Sequence, residues 1–178
     1  MPVQIGATTH SFSDPTALLS DCHRRIEMFL GTFEAVAPHL ESKLDNNARM
    51  ALESALRYFR ESAPKHAADE EESLFPRLRE STDADATTAL TKLDSLEQDH
   101  RRANTLHATV DTLGKRCLEH GFLWAADANL FRQAVAELAL IYAVHIRIED
   151  DEVFPIAAQK LSAIDKSAIA AEMRERRK

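Results

Sequence analysis

A pattern that occurs twice constrains this chain more than any other feature. Residues 66–76 and 145–155 each contain a His, a Glu four positions later, further acidic residues, an aliphatic residue and Phe-Pro. Side chains four residues apart lie on the same face of an α-helix, about 6 Å apart along its axis. The His and the Glu of each copy can therefore reach one metal ion. The recurrence of the whole pattern indicates an internal duplication.

A second pair of histidines extends the duplication. His23 and His100 are each followed by Arg-Arg, and His66 and His145 come 43 and 45 residues later. Each half is therefore predicted to be a helical hairpin. Two hairpins packed as an up-down-up-down four-helix bundle would bring four His and two Glu to one level of the core. The candidate metal ligands are His23, His66, Glu70, His100, His145 and Glu149.

The rest of the sequence predicts an all-α protein. Only 4 Gly and 6 Pro occur in 178 residues, which favours long helices. Apolar residues recur with helical spacing in four segments, and no strand pattern competes. These segments begin near Asp14, Asn46, Asp85 and Ala125. Pro64 is expected to interrupt the second segment, and Gly121 to end the third.

The length of 178 residues and the lack of an interdomain linker predict one domain over residues 1–178. Its parts are an irregular segment at 1–13, the bundle at 14–160 and a short terminal helix at 162–178. Ser162 and Asp165 resemble a capping box at the start of that helix. The core-facing side of the fourth segment is predicted to contain Leu130, Ala134, Leu138, Ile141 and His145.

Charge and cysteine content exclude several classes of protein. The net charge of −7 disfavours nucleic acid and anionic membranes as partners. No apolar run is long enough to span a bilayer, and the N-terminus does not resemble a signal peptide. Cys22 and Cys117 lack CxxC spacing, so a cytoplasmic location is expected. A protein partner is left open.

The ligand types indicate which metal the site would prefer. If both Glu bridge, each of two ions receives two imidazole nitrogens and one oxygen from each bridge, with positions left for O2, NO or peroxide. Imidazole and carboxylate with vacant positions suit Fe or Mn better than a closed structural Zn site. The ligand types alone therefore leave Fe and Mn open as cofactors, with Zn as a further alternative.

These motifs resemble the hemerythrin HHE cation-binding family over roughly residues 15–160. The resemblance implies a four-helix bundle with a non-haem di-iron centre. It also implies binding of O2 or NO, sensing of oxygen or redox state, iron handling or stress defence. By resemblance, His23 and His66 bind the first iron, and His100 and His145 bind the second. The resemblance also makes Glu70 and Glu149 the bridging carboxylates.

One departure from the family pattern bears on function. Oxygen-carrying hemerythrins have a further His one turn after the third-helix His, and Asn104 occupies that position here. Glu27, four residues after His23, could supply an additional oxygen ligand. The loss of an imidazole favours a sensor, a reactive centre or an iron-handling role over simple O2 carriage.

Three functional hypotheses follow. The first is a di-iron protein that binds or responds to O2, NO or peroxide, in sensing or in oxidative or nitrosative stress. The second is an iron-binding module without turnover. The third is a di-iron oxidase or peroxidase, although such sites use two Glu-x-x-His motifs and only Glu97 and His100 form one here. Whether the protein is an enzyme stays open.

Other polar residues have simpler interpretations. A His on a core face is usually a hydrogen-bonded core residue, and His107 is expected to have a buried polar partner. The acids that follow each ligand Glu, such as Asp150, are expected to be solvated or to support the ligands. Both Phe-Pro pairs are expected to serve packing and helix bending. Three histidines are expected at the surface: His10, His39 and His120.

Overall fold

The computed structural model describes residues 12–81 and 86–178, and these residues are almost entirely helical. In chain order the α-helices are α1 (Pro15–Val36), α2 (Asn46–Glu61), α3 (Ala63–Ala68), α4 (Phe75–Glu80), α5 (Ala86–His120), α6 (Ala125–Ile148), α7 (Phe154–Lys160) and α8 (Ala163–Glu175). A 3-10 helix covers Ala37–His39, a first π-helix Asp69–Leu74 and a second π-helix Glu149–Val153. The prediction of an all-α protein is confirmed. The predicted segment 1–13 lies mostly outside the described residues.

Side-chain caps fix several helix starts where the sequence predicts them. The Asp14 carboxylate accepts a hydrogen bond from the Ala17 amide at 3.1 Å, ahead of Pro15 in α1. Ser162 accepts from the Asp165 amide at 3.0 Å at the start of α8. Such caps satisfy amides that the first turn of a helix leaves without intrahelical partners.

Glycine and proline mark helix boundaries because of their backbone conformation and hydrogen bonding. Gly121 has a φ of 85°, and its amide donates to the Cys117 carbonyl at 2.8 Å. This left-handed conformation after α5 is one that glycine adopts without steric cost. Pro64 is the second residue of α3, and the helix is interrupted just before it, between Glu61 and Ala63. Proline is tolerated in a first turn because its missing amide would have no partner there.

The chain divides into two compact units. The first comprises Met1–Arg25, Lys65–Glu97 and Ile146–Lys178. Its core includes Leu74 and Phe75, which end the first π-helix, together with Ile169 and Met173 of α8. Because all four are fully buried, α8 packs on the same core as the first copy of the duplicated pattern.

The second unit comprises Ile26–Pro64 and Gln98–His145. At its centre the Phe33 ring stacks on Phe59, with centroids 5.3 Å apart, and meets the edge of Phe131 at 5.8 Å. Leu130 was predicted to face the core, and this is wrong, since its side chain is 51% exposed. Its neighbour Phe131 takes the buried position, and successive helix residues point about 100° apart.

None of the described helices is both long enough and apolar enough to cross a bilayer.

Candidate metal centre

Four predicted ligands meet inside the first unit. They are His23 of α1, His66 of α3, Glu70 of the first π-helix and Glu149 of the second. Both carboxylates and His23 are fully buried, and His66 is 5% exposed. One ligand atom from each residue lies within 4.8 Å of the others. We call these residues the four-residue cluster.

The distances within this cluster are short enough for a shared cation. His66 Nε2 lies 3.1 Å from Glu70 Oε1, as the spacing of four residues predicts. His23 Nε2 lies 3.0 Å from Glu149 Oε2 and 3.8 Å from Glu70 Oε1. The His23 and His66 rings meet edge to face, with centroids 4.9 Å apart. One imidazole nitrogen from each histidine therefore faces carboxylate oxygen.

Both ligand carboxylates belong to π-helices, which the sequence analysis did not predict. The Phe75 amide donates to the Glu70 carbonyl, and the Phe154 amide donates to the Glu149 carbonyl. Each of these hydrogen bonds spans five residues instead of the four of an α-helix. In each copy, the backbone carbonyl of the candidate ligand Glu thus accepts the hydrogen bond that closes the widened turn.

The Phe-Pro ending explains why the helix widens at these places. Pro76 and Pro155 each follow directly after the phenylalanine that closes the π-helix. A proline has no amide to donate, and its ring clashes with the carbonyl four residues earlier. A widened turn before the proline relieves this clash without ending the helix. The Phe-Pro pairs therefore coincide with widened turns, and their effect on the direction of the helix stays a prediction.

Asp150 orients His23. Its Oδ1 lies 2.9 Å from His23 Nδ1, and the same carboxylate accepts hydrogen bonds from Ser20 Oγ at 2.5 Å and Arg24 Nη2 at 2.6 Å. Histidines that bind metals commonly donate their second ring nitrogen to a carboxylate, which fixes the ring orientation. Asp150 leaves Nε2 of His23 directed at Glu149. It therefore supports a candidate ligand, one of the two roles expected for these acids.

The acidic surroundings also favour a protonated His23. Burial lowers its pKa, but hydrogen bonds to Asp150, Glu149 and Glu70 outweigh burial and raise the pKa well above its ordinary value. Burial raises the pKa of Asp150, but hydrogen bonds from His23 and Ser20 bring it below its ordinary value. A metal ion at this cluster would replace a proton as the positive charge between the carboxylates.

The other two predicted ligands meet in the second unit. His100 Nε2 and His145 Nε2 lie 3.1 Å apart, and the side chains are 8% and 2% exposed. His145 Nδ1 lies 3.5 Å from Asp99 Oδ2. The duplication thus pairs these histidines as it pairs His23 and His66. Their role as ligands of a second ion stays a prediction.

The remaining candidates lie elsewhere. Glu27, considered as an additional ligand, has an exposed side chain and is outside the four-residue cluster. Asn104 is also exposed and lines a cavity of about 230 Å³ in the second unit. His107 has the polar partner that was expected, since its Nε2 lies 2.9 Å from Tyr142 Oη. His39 and His120 are exposed, as expected, and His10 lies outside the described residues.

Asp69 is a buried acidic residue that the sequence did not single out. This carboxylate is fully buried next to Glu70, and it accepts hydrogen bonds from Arg176 Nη1 at 2.9 Å and Arg177 Nη2 at 2.5 Å. Its partners lie more than a hundred positions away, so no local pattern could have identified them. The duplication carried one signal, because the second copy has Ile148 at the equivalent position.

An all-helical fold with a buried cluster of imidazoles and carboxylates defines a protein that could bind metal ions. A comparison with protein families leads further, since the model described as the hemerythrin HHE cation binding domain matches residues 14–157. The chain therefore belongs to the hemerythrin HHE cation-binding family, as the motifs predicted. No curated protein and no solved structure matched the chain.

Proposed function

We propose that this protein is a non-haem di-iron protein that binds or responds to O2, NO or peroxide. Its role would be in sensing or in oxidative or nitrosative stress. Membership of the hemerythrin HHE family supports cation binding. Asn104 in place of a further imidazole favours a responsive centre over reversible O2 carriage.

The buried four-residue cluster is the observation that carries this proposal. Two carboxylates, Glu70 and Glu149, share one fully buried space with the imidazoles of His23 and His66. Burying two negative charges side by side is costly unless positive charge balances them. A divalent or trivalent cation does this better than one proton on His23, since it brings more charge and accepts all four donors.

The donor set fits iron. Imidazole nitrogen and carboxylate oxygen without thiolate suit Fe or Mn better than a structural zinc ion. His23, His66, Glu70 and Glu149 would hold the first ion. Bound iron would supply redox chemistry and coordination positions for a small ligand, while Asp150 keeps His23 oriented.

The duplication supports the rest of the assignment. His100 and His145 are the duplicated counterparts of His23 and His66, and they would hold a second iron, as the family resemblance implies for an up-down-up-down bundle. The proposed ligand is a diatomic molecule or peroxide, with no part for nucleic acid or membrane. Cys22 and Cys117 are buried thiols and form no disulfide, which fits the reducing cytoplasm as the proposed location.

Metal analysis combined with absorption spectroscopy tests the proposal. Protein purified after expression with iron is expected to contain two irons per chain and to show oxo-to-iron charge-transfer bands. These bands should change on reduction and on exposure to O2, NO or peroxide. A spectrum that never responds would favour an iron-binding module without turnover. Peroxide decomposition that Glu70→Ala abolishes would favour an enzyme.

A matched pair of variants provides the control. His66→Ala removes a proposed ligand and is expected to lower metal content, whereas His120→Ala removes an exposed imidazole and should leave it unchanged. Full iron occupancy in the His66→Ala protein would contradict the assignment. A wild-type chain that folds and takes up no iron when iron is supplied would contradict the proposed function itself.

A further inference from the structure

A buried ion pair connects α8 to the first π-helix. Asp69 is fully buried, whereas Arg176 and Arg177 are 19% and 28% exposed at their side chains. Arg176 also donates from Nη2 to Ser73 Oγ at 2.8 Å and to Glu72 Oε2 at 3.1 Å. Two guanidinium groups thus bind one π-helix through its side chains.

Further contacts hold α8 in place on this side of the unit. Ile169 and Met173 are fully buried in the core that contains Leu74 at the end of the first π-helix. Arg77, just after that π-helix, donates from Nη2 to Glu172 Oε1 at 2.7 Å and from Nη1 to Glu172 Oε2 at 3.1 Å. A two-point contact of this kind fixes relative orientation as well as distance.

The duplication shows that the ligand motif does not itself require this carboxylate. Asp69 precedes Glu70 as Ile148 precedes Glu149, and Ile148 packs on apolar side chains of the core. The helix α8 also lies beyond residues 14–157, the range that matches the family model. The acidic residue at position 69 is therefore explained by α8 and not by the motif.

We propose that Asp69, Arg176 and Arg177 are positioning residues of the metal centre, so that docking of α8 sets its metal affinity. The buried ion pair holds the first π-helix in the register that directs Glu70 at His66. This inference rests on the proposed function, since it requires the four-residue cluster to bind metal.

The physical reason lies in the charge of Asp69. With both guanidinium groups present, the negative charge of the Asp69 carboxylate is balanced, and the carboxylate can stay buried beside Glu70. Loss of either partner breaks this connection. Without the arginines, an uncompensated buried charge beside Glu70 would favour movement of the π-helix toward solvent, and without the charge of Asp69 the guanidinium groups would no longer hold the π-helix in place. Because the Glu70 carbonyl closes this π-helix, such a movement displaces Glu70.

Cobalt(II) binding by the full chain tests the inference, because the visible bands of Co²⁺ report both affinity and ligand geometry. We expect Asp69→Asn and the double variant Arg176→Ala/Arg177→Ala to bind Co²⁺ about 10-fold to 100-fold more weakly than wild type, with altered bands. Arg176→Lys/Arg177→Lys keeps both charges and should recover most of the affinity. Exchange of backbone amides in residues 66–76 should accelerate in the first two proteins.

Two controls separate positioning from general loss of stability. Leu138→Ala removes a fully buried side chain from the second unit and should leave the Co²⁺ bands unchanged. Lys178→Ala removes an exposed charge from the same C-terminal segment, where Lys178 pairs with Glu175. This variant is the second control for the Co²⁺ bands. Should Asp69→Asn fail to fold, Arg177→Gln removes one guanidinium partner and is measured in the same way.

The outcomes distinguish this inference from the proposed function. A wild-type protein that binds no Co²⁺ and no iron would overturn both. Tight binding by wild type with the same affinity and bands in Asp69→Asn would overturn the inference alone. A Leu138→Ala protein that loses as much affinity as Asp69→Asn would also overturn it.

Discussion

The first and second π-helices contain equivalent candidate ligands in different surroundings. Glu70 and Glu149 each close a π-helix through their carbonyl and present a buried carboxylate to the four-residue cluster. The residue before them differs, since Asp69 is bound by Arg176 and Arg177 directly after α8, whereas Ile148 packs on the apolar core. Duplication has thus preserved the ligand and its backbone geometry, while the supporting contacts have diverged.

A second difference concerns the residue after each ligand. In the second π-helix, Asp150 orients His23 of α1 and accepts further hydrogen bonds from Ser20 and Arg24. The first π-helix is contacted by Arg176 and Arg177, which follow α8. The two π-helices are therefore connected to different parts of the chain, one to α1 and the other to the C-terminal residues.

Removing either ligand carboxylate should have the largest effect. Glu70→Ala and Glu149→Ala are each expected to weaken metal binding by more than about 100-fold, because each deletes a donor to the metal. Loss of a donor should cost more affinity than loss of a residue that only supports a ligand. Metal content after dialysis against a chelator measures this. Asp151→Ala, at an exposed position, serves as the control. If only one of the Glu variants lost metal, the two π-helices would not be equivalent.

Giving the second π-helix the acidic residue of the first should destabilise the protein. Ile148→Asp places a carboxylate against apolar core residues, and we expect a loss of about 3 kcal/mol in the free energy of unfolding. Urea unfolding of the metal-free protein provides the measurement, and Ile148→Val should cost only about 1 kcal/mol. A fully stable Ile148→Asp protein would show that the new carboxylate reaches solvent or a cationic partner from this partly buried position.

Loss of the support for His23 should have a smaller effect on the metal. Asp150→Asn keeps the size of the side chain but weakens its hydrogen bond to the imidazole, so metal affinity should fall about 10-fold or somewhat more. Titration with Co²⁺ measures the change. Comparison with Asp69→Asn ranks the two supports against each other. An unchanged affinity would mean that Glu149 alone suffices to orient His23.

The metal-free protein should show the smallest of these effects, as a dependence of stability on pH. The folded-state pKa of His23 is raised, so its stabilising contribution is complete below the unfolded value of about 6.5 and is lost as pH rises through the folded pKa. Unfolding free energies measured from pH 6 upward should therefore decline, and Asp150→Asn should flatten the decline. Calorimetry in buffers of different ionisation enthalpy should show proton release on metal binding.

Much of the helical structure could be predicted from local sequence. Pro15, Asn46 and Ala125 begin helices close to the predicted positions, because capping residues and prolines act over a single turn. The meeting of His23 with the first motif was predicted from the duplicated spacing together with the assumed bundle packing. These features depend on contacts between residues that are near in sequence or repeated within it.

Features that depend on distant packing could not be predicted. Periodicity places Leu130 in the core, but the larger Phe131 takes that position through contact with Phe33. The π-helices need a choice between hydrogen bonds over four and five residues, and no residue pattern states that choice directly. Burial of Asp69 depends on where α8 docks, which is a property of the folded chain.

The ion pair between Asp69 and Arg176 also has a consequence for biosynthesis. The arginine is translated 107 positions after the aspartate, so the acidic stretch around Glu70 leaves the ribosome long before its counter-charges do. During that interval the nascent chain carries uncompensated acids in a segment that is destined for the interior. We therefore expect the first π-helix to reach its final conformation only after Arg176 and Arg177 have been made.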